Sequence, residues 1–203
     1  NSKHIEITYH EFDCAELDSV RKSLYDAALA ASERAYAPYS HFQVGAAAFW
    51  EIVTGSNQEN AAYPSGLCAE RVALFAACAA YPDVPVLRLA IIAQSKGEVR
   101  DSISPCGACR QVILEVEQRS RVPMEILLCG KEKVKVMEGI TSLLPFVFTS
   151  EICNSWEVFA VQITNSPDFV NAYPEIEAHK NLIIIYQSVN YENDIFMETK
   201  SGE

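Results

Sequence analysis

Apolar residues along this chain recur in two rhythms: helical faces, and short unbroken runs. Val20, Leu24, Ala27, Ala28, Ala31 and Ala35 share a helical spacing behind Asp18 and Ser19, either of which can cap the helix, and Pro38 ends the segment. Residues 67–80 are Ala-rich and uninterrupted as far as Pro82, which predicts a second helix, and a third covers about 107–119. Between them, 44–50, 52–55, 86–94, 124–129 and 133–137 have the length and content of strands. In the first of these, Gly45 and Ala46 to Ala48 permit close backbone approach. Residues 1–13 read as an irregular or extended lead-in, 95–102 as a polar hairpin or loop, and Leu143-Leu144-Pro145 as the edge of the fold. Strands alternating with helices predict a layered α/β domain with a mixed sheet.

Two stretches depart from this order. No Gly, Asn, Asp or Pro separates the strands meeting at Trp50 and Glu51, although a tight hairpin needs residues tolerant of positive φ, so a few turn residues are expected to be missing there. Beyond residue 150 the pattern loosens: 157–164 and 181–189 read as strands, 166–180 has no firm pattern, and no motif appears. The expected organisation is a domain over 1–150 and a C-terminal extension over 151–203.

Composition narrows the class. Hydrophobic residues at 49% and charged ones at 21% describe a soluble globular protein, with no apolar run long enough for a bilayer. Lys3, His4, Glu6 and His10 interrupt the start, where an export signal would be apolar, so the seven cysteines read as reduced thiols and metal ligands of a cytoplasmic protein. A net charge of −11 repels phosphate backbones and argues against a polynucleotide substrate. His4, His10, His41 and His179 stand singly, without metal-ligand spacing.

The chemistry is concentrated in Cys68-Ala69-Glu70 and Pro105-Cys106-Gly107-Ala108-Cys109. Cys68, Cys106 and Cys109 supply three soft ligands for one Zn²⁺ and leave its fourth tetrahedral position for water. A structural zinc knuckle would close that shell, but no fourth Cys or His lies near either half of the motif. Glu70, two residues past a ligand, stands where a general acid/base must stand. Cys68, Glu70 and Arg71 fall in the first turn of the 67–80 helix, and Cys106 and Cys109 open the 107–119 helix. Two helix N-termini therefore converge on one metal and favour thiolates there. Nucleobase deaminases use this order of ligands and glutamate, with Cys allowed at the first position. Other residues stay open at this level. Phe42 reads more readily as core than as a base-stacking platform. Asn57 and Glu59 form either an Asx-rich turn or a pair that grips vicinal hydroxyls.

Taken together, the sequence resembles the small homotetrameric cytidine deaminases. The resemblance is carried in order by Ala37-Pro38-Tyr39-Ser40, Phe42-Gln43-Val44-Gly45-Ala46-Ala47, Asn57-Gln58-Glu59-Asn60-Ala61-Ala62-Tyr63, Leu67-Cys68-Ala69-Glu70-Arg71, Pro105-Cys106-Gly107-Ala108-Cys109-Arg110-Gln111 and Leu143-Leu144-Pro145. It implies a three-layer α/β/α fold with a mixed sheet of about five strands, one zinc per subunit, and hydrolysis of cytidine and 2′-deoxycytidine to the uridines. It also implies a stacking role for Phe42, a ribose clamp of Asn57 and Glu59, and contact of the Ala69 N–H with the base carbonyl. Ala61, Tyr63 and Phe148 are implied to complete pockets of neighbouring subunits in a homotetramer. Arg71 is expected to donate to ligand sulfurs, and the Ser104 carbonyl to steer departing ammonia. The residues after 150 have no counterpart in the small tetrameric class, and are too few for the second domain of the larger dimeric one. A blasticidin-type deaminase and a non-catalytic zinc scaffold are the alternatives, against which stand the Asn57/Glu59 pair and the intact Glu70.

Overall fold

A computed structural model describes residues 2–49 and 51–149. The chain divides into two units, Asn1–Val147 and Phe148–Glu203. The strands expected at 157–164 and 181–189, and the expectation resting on Trp50, lie outside the described residues.

The elements in order are β1 (His10–Asp13), α1 (Ser19–Ser32), β2 (Phe42–Phe49), β3 (Val53–Ser56), α2 (Ala69–Ala80), β4 (Arg88–Ser95), β5 (Glu98–Val99), α3 (Gly107–Ser120), β6 (Glu125–Cys129) and β7 (Lys133–Glu138). Seven strands form one sheet in the order β1-β7-β6-β4-β2-β3, with β5 paired to β4. It is mixed: β4 and β6 run parallel and the other pairs antiparallel. The five strands that the hydropathy predicts within the described residues are all present, and β1 and β5 are additions. β1 is a polar edge strand whose only half-buried residue is Phe12; register with β7 and the Glu11–Lys133 ion pair (2.8 Å) hold it, neither of which shows in its hydropathy. β5 returns from β4 through Lys96 and Gly97, both at positive φ as a primed hairpin turn requires.

Alternation along the strands separates two apolar layers. Ala46, Ala48, Leu89, Ile91, Ile126 and Leu128 face α2 and α3, which bring Leu74, Ala77, Ile113 and Leu114. Ala47, Ala90, Ile92, Leu127 and Val136 face the other way, against Leu24, Tyr25 and Ala28 of α1. Burial on both faces is why these strands read as continuous apolar runs. The three layers are thus α1, the sheet, and α2 with α3.

Two glycines set how closely helices approach the sheet. A Cβ at Gly45 would stand 1.9 Å from the Ala28 carbonyl oxygen in α1, and one at Gly55 would stand 2.4 Å from Ala73 N in α2. The second matters for function, because α2 is drawn onto β3 near the end that carries Cys68. β3 and β4 are both antiparallel to β2 and so run in the same direction. The loops leading from them to α2 and α3 therefore leave the sheet at one edge, the usual place for a site in an α/β sheet.

Candidate active site

The 67–80 helix begins two residues later than the hydropathy implies, at Ala69: Cys68 is the N-cap of α2 and not part of its first turn. Cys106 is likewise the N-cap of α3, and Cys109 lies buried in that helix's first turn. Neither cap cysteine makes a capping hydrogen bond to the backbone N–H groups of its own helix. Their sulfurs turn toward each other instead. The Sγ atoms of Cys68 and Cys106 are 3.8 Å apart, and those of Cys68, Cys106 and Cys109 all lie within 4.8 Å of one another. Two sulfurs each about 2.3 Å from one zinc, at the tetrahedral angle, are about 3.8 Å apart, so the trio fits that ion. Among the described residues no fourth His, Cys, Asp or Glu joins the cluster.

Electrostatics within the trio are uneven. Hydrogen bonding with Cys109, and then with Arg71 and Cys106, pulls the Cys68 thiol down to about 5 against the cost of its burial. Cys109 is pushed up by holding the proton in that pair and by burial. A bound cation would relieve this conflict, because it deprotonates coordinating thiols outright.

Glu70 sits in the first turn of α2 and is 4% exposed. Burial raises its proton affinity and the Cys68 charge adds to this, while hydrogen bonds from its own N–H and from Cys109 oppose it. A carboxyl whose proton affinity is raised in this way is better suited to taking and returning a proton than an exposed one. Arg71 Nη2 stands 3.7 Å from Cys68 Sγ and 3.5 Å from the Gly66 carbonyl oxygen.

A cavity of about 330 Å³ opens over these groups, with Asn57, Glu59, Tyr63, Ser104, Cys106 and Glu70 in its lining. The side chain of Asn57 binds the start of β2: Oδ1 accepts from the Val44 N–H (2.7 Å) and Nδ2 donates to the Phe42 carbonyl (3.0 Å). Its Nδ2 carries a second hydrogen, so the amide can serve the strand and a ligand together. Glu59 accepts from the backbone N–H groups of Tyr39 (2.9 Å) and Ser40 (3.2 Å) and from the Ser40 hydroxyl. These bonds, the hydroxyl's first, hold its carboxyl below the usual range. The turn Ala37-Pro38-Tyr39-Ser40 is thus a cradle for Glu59.

Paired Gln58 and Leu67 backbones close the loop between them, which carries Ala61 and Tyr63. Tyr63 lines the cavity and is 76% exposed; Ala61 is exposed. Phe42 is not in the cavity lining, but shares with Val44, which is, one face of β2. Ala69 is buried at the first position of α2, where backbone N–H groups lack intrahelical partners. Phe148 is 60% exposed. One residue that carries no assigned role in the sequence also borders the site: Arg110 binds Ser104, Pro105 and Leu143. Its signal was a cation in a helix first turn, where the macrodipole disfavours it.

The family model for the cytidine and deoxycytidylate deaminase zinc-binding region matches residues 18–125. The chain belongs to that family. It carries the family's zinc-binding region, and within it Cys68, Cys106 and Cys109 form a cluster that could hold the metal. Among curated relatives, the cytidine deaminase of Halalkalibacterium halodurans is 40% identical over 140 residues, 66% of this chain and 98% of the relative. One from Sporosarcina psychrophila is 42% identical over 125 residues, 60% of this chain and 85% of the relative. The fold matches the crystal structure of the Burkholderia pseudomallei cytidine deaminase with a TM-score of 0.54 at 40% identity, covering 63% of this chain and 98% of the other. Among the described residues no helix is long and apolar enough to cross a membrane.

Proposed function

We propose that the protein hydrolyses cytidine and 2′-deoxycytidine to uridine and 2′-deoxyuridine, releasing ammonia, as a cytoplasmic enzyme of pyrimidine salvage. One observation carries the reading: three sulfurs at zinc spacing lie beside a buried carboxyl that stays outside the cluster. Zinc held by Cys68, Cys106 and Cys109 supplies a Lewis acid that makes water nucleophilic near neutral pH. Glu70 takes the first proton that the attacking water loses and delivers it to N3 of the base as C4 is attacked; it then takes the second from the new C4 hydroxyl and passes it to the amino group, which leaves as ammonia while the C4 carbonyl forms. The Arg71 guanidinium draws charge from Cys68, which three thiolates on one dication would otherwise leave in excess.

Substrate recognition follows from the cavity walls. The Ala69 N–H meets the base carbonyl, Phe42 stacks on the pyrimidine, Asn57 and Glu59 hold the ribose 3′-hydroxyl, and the Ser104 carbonyl guides ammonia out. Three of the four lone-pair sites of Glu59 are taken by the 39–40 turn, which leaves one for a sugar hydroxyl. The exposure of Tyr63 and Phe148 supports a homotetramer in which these residues and Ala61 complete neighbouring pockets. The net charge of −11 favours a free nucleoside over a polynucleotide. Six free cysteines among the described residues suit a reducing compartment. The catalytic domain is placed at 1–150, with 151–203 as an extension.

The test is ammonia release by the zinc-loaded protein from cytidine, 2′-deoxycytidine and a cytosine-containing single-stranded oligonucleotide. Release from the two nucleosides alone is expected, lost on chelation and restored by zinc. No release from either nucleoside by zinc-replete protein overturns the reading. Light scattering on a sizing column should return the mass of four subunits.

A further inference from the structure

Arg110 has no part in the reaction as proposed, yet it ties two separate pieces of chain together around the site. Its Nε donates to the Pro105 carbonyl (2.9 Å), its Nη1 to the Leu143 carbonyl (2.7 Å) and its Nη2 to the Ser104 hydroxyl (2.9 Å). Ser104 is a wall of the cavity, and Pro105 is fully buried and precedes Cys106 directly. Leu143 ends the 3₁₀ turn Ile140–Ser142 that follows β7.

Two local facts explain why this stretch needs such a clamp. Cys106 occupies the N-cap of α3 but makes no capping bond, so the start of the helix lacks the usual side-chain lock on the chain entering it. Pro105 has no N–H with which to fix itself. Arg110, four positions past the cap, reaches backward over the first turn and supplies the missing fixation from outside. A cation there opposes the macrodipole, so local helix preference does not account for it. The planar fork does: three acceptors in three directions suit a guanidinium and not the point charge of a lysine.

We propose that Arg110 is a positioning residue that holds the loop bearing Ser104 and Cys106 against the 140–143 segment. It thereby sets both the stiffness of the Cys106 sulfur and the shape of the cavity wall. This rests on the reading of the site as a zinc deaminase centre.

Zinc-loaded full-length Arg110→Lys, Arg110→Gln and Ser104→Ala proteins test it. The two Arg110 variants are expected to pass zinc to a chromophoric chelator about 10–100-fold faster than the parent, the usual scale for groups that orient metal ligands. Their cobalt-substituted forms should show displaced visible bands, and kcat/KM for cytidine should fall by a similar factor, shared between kcat and KM because a ligand and a wall move together. Ser104→Ala removes one of the three bonds without touching the guanidinium, and should move the same readings the same way by less. A lower melting temperature with parental zinc release, cobalt spectrum and kinetics below the melt would reduce Arg110 to a stabilising residue and overturn the proposal. Should Arg110→Gln not fold, Arg110→Lys and Ser104→Ala carry the same readings. A parent chain that neither retains zinc nor deaminates cytidine sinks the deaminase reading itself; an active parent whose variants match it sinks only the positioning role.

Discussion

The three helices begin in two different ways. At α1 the Asp18 carboxylate accepts the N–H groups of Val20 (3.0 Å) and Arg21 (2.9 Å), and these bonds hold its own proton affinity below the usual carboxylate range. At α2 and α3 the cap position holds a cysteine that makes no such bond and points into a shared cluster. Unpaired N–H groups and the positive end of the dipole exist at all three starts. In α1 they are satisfied on the spot, and that helix only packs. In α2 and α3 they remain available to thiolates and to a ligand, at the expense of local stability. Where a helix gives up its own cap, the fold has put chemistry.

The largest effect expected from breaking this contrast is at Glu70. Glu70→Gln keeps the shape and the metal but cannot move a proton, so kcat should fall by at least the ~10²–10⁴ usual for acid/base groups. Elemental analysis showing parental zinc alongside that loss would separate chemistry from assembly. Metal removal comes next. A chelator should abolish activity and, at free zinc a thousandfold above its dissociation constant, remove about 4 kcal/mol of stability. Hydrogen exchange should then quicken in the first turns of α2 and α3 and stay unchanged in that of α1; equal loosening of all three would erase the distinction drawn here.

Arg71→Gln sharpens the comparison on the electrostatic side. Without the guanidinium, negative charge on Cys68 goes uncompensated and further ionisation beside it becomes harder. The acid limb of the pH–rate profile should move to higher pH with zinc still bound, and a profile identical to the parent's would exclude the role given to Arg71. The smallest change belongs to the conventional cap. Asp18→Ala should cost about 1 kcal/mol in urea unfolding at pH 7 and leave kcat untouched. Because the folded pKa of Asp18 lies below its unfolded value of about 3.9, its contribution is present above that value and lost as pH falls through the folded pKa. The gap between parent and variant should therefore close in acid; a gap that persisted at pH 2 would mean the carboxylate is not the source.

Much of this was legible beforehand, for identifiable reasons. The five long strands and three helices announce themselves because each is buried along a regular face. The three clustered cysteines announce themselves because Cys-x-Glu and Pro-Cys-x-x-Cys are short motifs fixed by local geometry. β1 escaped because an exposed edge strand has no apolar rhythm, and β5 because two residues are too few to show one. Cys68 was read as helical when it is a cap, since hydropathy does not register where φ and ψ turn helical. The work of Arg110 and the cradle of Glu59 involve partners more than fifteen positions away, Leu143 and Tyr39, which no local pattern pairs.

What the residues determined by themselves is the layered α/β plan, the set of three thiols and one carboxylate, and the acidic surface. All depend on periodicity, side-chain type or charge, which are properties of neighbours along the chain. Tertiary structure decided that the two cysteine motifs meet, that Glu70 loses its water and so holds its proton more tightly, and that a clamp from α3 reaches the loop beyond β7. Distances between remote segments, and the dielectric around a buried group, exist only once the sheet has brought the ends of β3 and β4 to the same edge.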